Sequence, residues 1–529
     1  MKLTRIAISL LCTVAPVAAL TQEVTLESPD QFISVDGEII DYDGFMVRVD
    51  TAVGAISLPA SEVICFGEGC FDIINNNNFG LTADAFISVI ASAEEAAAAA
   101  PQADFTIAFG AENYGTVYGA MARAFAASGT TANVTISAEG AVALSDPQTG
   151  TEATVIRTDD IAAADMIIAS VSLEGTEPTA FDVNNGWIDA QSMSHHLLGL
   201  QAFAVIVAPT SGVDRISMTD LARVYAGEVS NWSQIGGADV NVLPLQLPRT
   251  SPLRAEMEAL VMAPAGKSIA GNVLTMADET GIAASISQFP GSISIVSAAK
   301  ANDALSIPVT GACGIAVAAT PFNIVSGDYP LIRPVMAAYG SDTQNPLVTQ
   351  MFDYAATPAG QTLMAASNLM SIEAFQQDNA QKNGRLGGLL DAELDETQRN
   401  AAAQMFQVLF NADRLSPTLI GGATSSAEGA WNRAMLQSVI AAMSDPANAG
   451  REIIFVGKGA SDAGSQAALD ASVAAAQAMQ SALTSVAGDL VTTGEFTITS
   501  YGFGDVSPAT CTDGQVEGTE HARVEVWIR

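Results

Sequence analysis

Basic residues are scarce in this chain of 529 residues: 21 lysines and arginines stand against 57 aspartates and glutamates, a formal net charge of −36. So acidic a chain is a poor partner for nucleic acid or anionic lipid. A small anionic ligand stays open to it, because backbone amides and one arginine suffice for a locally positive pocket. Histidine is scarcer still. His195, His196 and His521 are the three present, and none stands at ligand spacing from a cysteine pair, so no metal site is expected. No serine–histidine pairing or phosphate-cradling glycine loop stands out, so neither catalysis nor a cofactor is expected. Charged residues make up only 15% of the chain against 49% hydrophobic ones, which places it among globular proteins rather than disordered ones. The apolar run from Ile6 to Val17 falls short of the roughly 20 residues a membrane-spanning helix needs.

That run follows Lys2 and Arg5 and precedes Ala18 and Ala19, the pattern of a secretory signal over residues 1–19 with cleavage after Ala19. Leu11 before Cys12 departs from the small residue that lipidation requires. The remaining cysteines, Cys65, Cys70, Cys313 and Cys511, are even in number and in an oxidising compartment are expected as disulfides. Cys65 and Cys70 can close a small loop around Phe66–Gly67–Glu68–Gly69. Cys313 and Cys511 would then pair, although sequence alone does not fix the connectivity.

Composition divides the mature chain into five stretches. Residues 20–74 read as a small β domain: Phe32–Val35, Glu38–Ile40, Phe45–Val49 and Ala55–Leu58 read as strands, with Asp36–Gly37 and Asp43–Gly44 as hairpin turns. Residues 75–103 read as a helical spacer rich in alanine, and 104–375 as alternating strands and helices of an α/β domain. In the latter, Phe105–Phe109 is a buried strand, Gly110–Gly115 a loop, and Thr116–Ala127 a helix with Val117, Met121 and Phe125 on its apolar face. His195 and His196 precede a strand at Ala202–Val207 and read as packing or surface residues. Residues 376–412 are a linker, and 413–529 a second α/β domain.

An ordered series of motifs across 104–375 resembles the periplasmic phosphate-binding proteins of ABC transporters. It comprises Tyr225–Ala226–Gly227, Asn231–Trp232–Ser233, Ile235–Gly236–Gly237, Pro290–Gly291–Ser292–Ile293, Tyr329–Pro330–Leu331–Ile332–Arg333 and Ala359–Gly360–Gln361. The resemblance implies two lobes closing by hinge bending on a tetrahedral oxyanion, phosphate or a relative of it, and a transporter permease as partner. It places anion ligands at Gly110, Ala111 and Asn113 in a first loop, at Ser170 after a strand, and at Arg249, Thr250 and Ser251 ahead of a helix begun by Pro252. Glu112 in the first loop and Pro252 in the third depart from the family pattern.

The last eighty or so residues resemble the peptidoglycan-binding domain of the OmpA family through Ile453–Gly457, Ser461–Asp462–Ala463–Gly464, Gly502–Phe503–Gly504 and Arg523–Val524–Glu525–Val526–Trp527. The resemblance implies an α/β sandwich that holds the wall peptide's diaminopimelate, with Asp462 taking its ammonium. Asp470 stands where the family has asparagine, Gln477 where it has the helix arginine, and Arg523 is a substitute for that arginine. The expected protein is a periplasmic, non-catalytic, three-part α/β multidomain chain that captures an oxyanion and is retained near the cell wall or outer membrane. Its rival is a structural envelope protein whose binding fold has lost its small ligand and serves protein or peptidoglycan contacts.

Overall fold

The computed structural model describes residues 23–27, 34–42, 46–51, 54–59, 64–66, 104–110, 112–128, 133–136, 142–146, 149–158, 164–171, 181–183, 186–188, 193–301, 305–311, 316–340, 345–377, 394–423, 425–459, 463–487, 496–506 and 523–529. The chain divides into two compact units, Met1–Ala98 and Ala99–Arg529. The expected signal segment, the helical spacer 75–103, the turn Asp43–Gly44, Cys70, Cys313, Cys511 and Asp462 lie outside the described residues.

In the first unit, antiparallel strands run in the order Gly54–Pro59, Met46–Thr51, Ser34–Tyr42, Glu23–Glu27, Ile64–Phe66. The first turn read from the sequence is corrected here, because Asp36–Gly37 lies inside the strand Ser34–Tyr42. Gly37 serves close packing rather than a turn: a Cβ there would stand 2.4 Å from the Asp50 carbonyl oxygen. Cys65 lies on the strand Ile64–Phe66.

The second unit is organised by one strand. Met193–Val207 runs for 15 residues, and its partners change midway. Met193 to Ala202 pair antiparallel with Ile332–Gly340, whereas Phe203 to Val207 pair with Ser292–Ser297. On the first side the sheet continues through Met166–Ser170, Asp104–Phe109, Thr151–Arg157, Val142–Asp146 and Asn133–Ile136. On the second it continues through Leu243–Gln246 and Leu274–Thr275, with Ser306–Ile307 also on Met193–Val207. The two lobes of this α/β fold are therefore joined by Met193–Val207 going out and Ile332–Gly340 coming back.

Alternation along Met193–Val207 explains how both faces are covered. His195 is fully buried on one face, where its Nδ1 is 3.0 Å from Ser426 Oγ. His196 points the other way, its Nε2 3.0 Å from the Tyr339 hydroxyl and its Nδ1 3.0 Å from Asp353. Both histidines lie within the strand rather than ahead of it. The first lobe's core sets Phe105 and Ile107 against Val117, Met121 and Phe125 of helix Glu112–Ala127 and against Met351 and Phe352 of helix Pro346–Tyr354. The expected apolar face of the first helix is present, but the helix starts at Glu112, so the loop before it is shorter than Gly110–Gly115.

The C-terminal strands run in the order Asp413–Ile420, Arg523–Ile528, Glu452–Lys458, Thr497–Gly502. Helix Ser465–Val486 lies so close on this sheet that a Cβ at Gly457 would be 1.9 Å from the Ser472 carbonyl oxygen. Part of the stretch read as linker is structured: helix Glu396–Leu409 packs Met405 and Leu409 against Val456 and Trp527. Upstream of it, the Gln377 amide donates to the Arg414 carbonyl and the Ser416 amide to that of Phe375, which adds Phe375–Gln377 to the edge of the C-terminal sheet.

The C-terminal part is docked on both lobes. Helix Ser426–Met443 packs on Met193–Val207, and Arg433 donates to the His195 carbonyl oxygen at 2.8 Å. Arg414, with no exposed surface, pairs with Asp328 of the second lobe at 2.5 Å and with Glu525 at 3.4 Å, and its guanidinium sits 5.4 Å from the Phe322 ring centroid. Glu525 also receives hydrogen bonds at 3.0 Å from Lys458 and from the Trp527 indole. Replacing Arg414 by alanine leaves Asp328 without its cation and Glu525 with Lys458 alone, and is expected to cost about 3 kcal/mol. Thermal melting of the full chain checks this, and an unchanged midpoint would contradict the role given to Arg414.

Candidate functional site

The strands Asp104–Phe109, Thr151–Arg157 and Met166–Ser170 are parallel, and at their carboxyl ends, where α/β sheets bind ligands, Ser170 reaches helix Pro252–Met257 of the second lobe. At the opposite, amino ends of these strands Asp165 accepts from the Thr106 amide at 2.8 Å and the Thr106 hydroxyl at 2.7 Å, which fixes their register. At the carboxyl ends stand Phe109, Arg157 and Ser170, with the Arg157 guanidinium 5.6 Å from the Phe109 ring centroid.

Four side chains meet there. Tyr114, in the first turn of helix Glu112–Ala127, is buried and hydrogen-bonded to Ser170. The Ser170 hydroxyl donates to Glu256 Oε1. Glu256 belongs to helix Pro252–Met257 of the second lobe, and its other oxygen lies 3.7 Å from Arg333 Nε, at the start of the return strand. Arg333 and Glu256 keep 18% and 20% of their side-chain surface exposed, so the pair is largely withdrawn from water. Burial raises the Tyr114 hydroxyl well above its ordinary pKa, and the Glu256 charge adds to the shift. The phenol therefore remains a neutral hydrogen-bonding group.

One hydroxyl, Ser170, backed by Tyr114, and one guanidinium thus face a carboxylate of the protein itself. These are donors of the kind an oxyanion requires, and the position they serve is taken by Glu256.

The residues named from the sequence fall into separate places. Ser170 is in the cluster. The Gly110 amide already donates to the Ile168 carbonyl at 2.8 Å, so it is used within the sheet. Ala111 lies outside the described residues, and Asn113 is in the first turn of helix Glu112–Ala127. Arg249 and Thr250 are exposed, and Ser251 takes the N-cap position of helix Pro252–Met257 without a side-chain capping bond. Pro252 opens that helix as expected. In the C-terminal part, Asp470 and Gln477 are both exposed on helix Ser465–Val486, seven residues apart and so on one face. Arg523 lies at the seam with the second lobe: a Cβ on Gly327 would be 3.3 Å from its Nη1.

Tyr114 and Glu256 were not singled out from the sequence, and Arg333 was read only as the end of a motif. The motifs themselves are packing devices. The Trp232 indole donates to the Gly291 carbonyl at 2.9 Å, which ties Asn231–Trp232–Ser233 to Pro290–Gly291–Ser292. Gln361 donates to the carbonyls of Leu198 and Ala355 and accepts from the Ile372 amide, which clamps helix Pro358–Ala366 to Met193–Val207.

Residues 95–364 match the family model described as the PBP superfamily domain. The chain is 26% identical over 171 residues to the phosphate-binding protein PstS of Bacillus subtilis (strain 168), a match covering 32% of this chain and 53% of that protein. The chain thus spans about half the length of this curated relative. Similar solved structures include an ABC-type phosphate transport receptor from Vibrio cholerae, at 15% identity and a TM-score of 0.37 over 50% of this chain and 99% of that one. PstS from Borrelia burgdorferi is another, at 16% identity and a TM-score of 0.39 over 51% and 99%.

Burial pushes the hydroxyls of Tyr114, Tyr118, Tyr225 and Tyr329 above the ordinary value of 10.0. The folded chain keeps these protons above pH 10 while the unfolded chain releases them, so this stability is complete below about pH 10 and is lost as pH rises further. The melting temperature is expected to fall steadily above that pH, with phenolate absorbance from these residues appearing only on unfolding. Their ionisation in the folded protein near pH 10 would contradict the burial described.

Proposed function

Because the chain belongs to the PBP superfamily, whose domain it carries over residues 95–364, we propose that it is a solute-binding protein that takes phosphate or a related oxyanion between its lobes. The observation that carries this reading is that Ser170, backed by Tyr114, and Arg333 face an anionic group next to the hinge strands. The similarity to a phosphate-binding protein supports phosphate as the first ligand to test. In the bound form Ser170 donates to the anion and Arg333 balances its charge. Arg249, Thr250 and Ser251, on the exposed approach to helix Pro252–Met257, and Asn113 at the opposite helix start are outer ligands. The binding site acts between two membranes and hands its solute to a transporter permease.

The C-terminal part, in this proposal, retains the receptor at the cell wall in the manner of OmpA-like domains, with Asp462 holding the ammonium of the wall peptide beside Asp470 and Gln477. Its sheet order and the exposed face bearing Asp470 and Gln477 support the reading. Arg523, next to Gly327, stays in the proposal as the substitute for the family's helix arginine. The disulfides Cys65–Cys70 and Cys313–Cys511 remain part of the proposal.

One observation favours a second reading. Glu256 already fills the anion position, as it would in a structural envelope protein whose cleft has closed on itself.

Calorimetric titration of the full chain separates the two. Saturable one-to-one heat with phosphate is expected, weakened roughly tenfold or more in Ser170→Ala, the scale of one hydrogen bond to a charged group. Sedimentation with purified peptidoglycan is expected to carry the chain down and to fail for Asp462→Ala. No heat with phosphate, sulfate or molybdate would leave the structural reading standing.

A further inference from the structure

We propose that Glu256 is a built-in occupant of the anion seat, a latch that draws the second lobe onto the first when no ligand is bound and that sets how tightly a ligand can bind. The proposal rests on the oxyanion reading of the cleft and deepens it. Glu256 and Ser170 come from opposite lobes and lie 86 residues apart in sequence, so their hydrogen bond is a contact across the cleft. The carboxylate uses both of its oxygens: Oε1 accepts from Ser170, and Oε2 faces Arg333 at 3.7 Å. A carboxylate so held offers the seat what a bound oxyanion would offer, namely an acceptor oxygen on Ser170 and negative charge beside Arg333.

Its neighbours on the helix are otherwise committed. Arg254 donates to Glu258 at 2.7 Å and to the Leu247 carbonyl at 3.3 Å, so Glu258 has its own cation and Glu256 has the cleft. An incoming oxyanion and the carboxylate repel each other in a half-buried site and compete for Ser170. Ligand therefore binds only the fraction of molecules in which Glu256 has left, and its apparent affinity falls by that fraction. Once the ligand is seated, closure is driven by the ligand in place of the latch.

The test compares the full-length protein with Glu256→Gln, using Glu258→Gln as a control for loss of charge on the same helix. Amide exchange followed by mass spectrometry in phosphate-free buffer reads the latch, and calorimetry with inorganic phosphate reads the competition. In Glu256→Gln, exchange over residues 166–171 and 252–257 is expected to rise at least fivefold, and phosphate to bind at least tenfold more tightly. Glu258→Gln is expected to change neither. Ser170→Ala, which cuts the latch at its other end, is expected to raise exchange in the same segments while weakening phosphate, so a folding defect confined to Glu256→Gln cannot mimic the result.

Unchanged exchange in Glu256→Gln and Ser170→Ala overturns the latch. Weaker phosphate binding in Glu256→Gln overturns it too, because Glu256 would then be part of the ligand's own shell. Faster exchange in Glu256→Gln with no phosphate heat in any of the proteins keeps the latch and overturns the phosphate reading instead.

Discussion

The change of partner between Ala202 and Phe203 on the strand Met193–Val207 is the constraint on which the second unit depends. A strand whose first part completes one half-sheet and whose last part completes another cannot leave either without exposing a row of backbone donors and acceptors. The lobes are thus tied at this strand and its return partner. Any closing motion must bend about these two strands, and Arg333 lies next to that axis, at the second residue of the return strand.

The same strand carries the C-terminal part. Helix Ser426–Met443 covers one of its faces through Ser426 and Arg433, while Arg414 reaches Asp328 in the second lobe. Buried ion pairs of this kind contribute little net stability against apolar packing, but they impose one geometry, because any misplacement strands a charge. Arg414 and Lys458 face Glu525 and Asp328, so the local charges balance even though the chain as a whole is strongly acidic. If the C-terminal part binds the wall, the binding domain is held through a docked surface as well as through the connecting chain.

What could be read from the sequence was whatever is fixed by neighbours along it. The motif around Trp232 and the motif Ala359–Gly360–Gln361 follow short-range rules, with Asn231 capping the turn Trp232–Ile235 and Thr357 the helix Pro358–Ala366. The apolar face Val117, Met121 and Phe125 was legible from its spacing. Asp36–Gly37 misled because glycine serves close approach of strands as well as turns. His195 and His196 obscured the start of a strand because each finds a hydrogen-bond partner far off in sequence, Ser426 and Tyr339. Glu256 left no sequence signal at all: on a short helix it looks like any solvated carboxylate, and only the fold brings Ser170 and Arg333 to it.

The central claim, that the cleft holds an oxyanion on the donors Glu256 now occupies, is tested most directly by a crystal structure of the full chain grown with phosphate. The account predicts tetrahedral density within hydrogen-bonding distance of Ser170 Oγ and the Arg333 guanidinium, with the Glu256 carboxylate moved off Ser170. Phosphate found elsewhere, or Glu256 still seated on Ser170 beneath a bound anion, would contradict it.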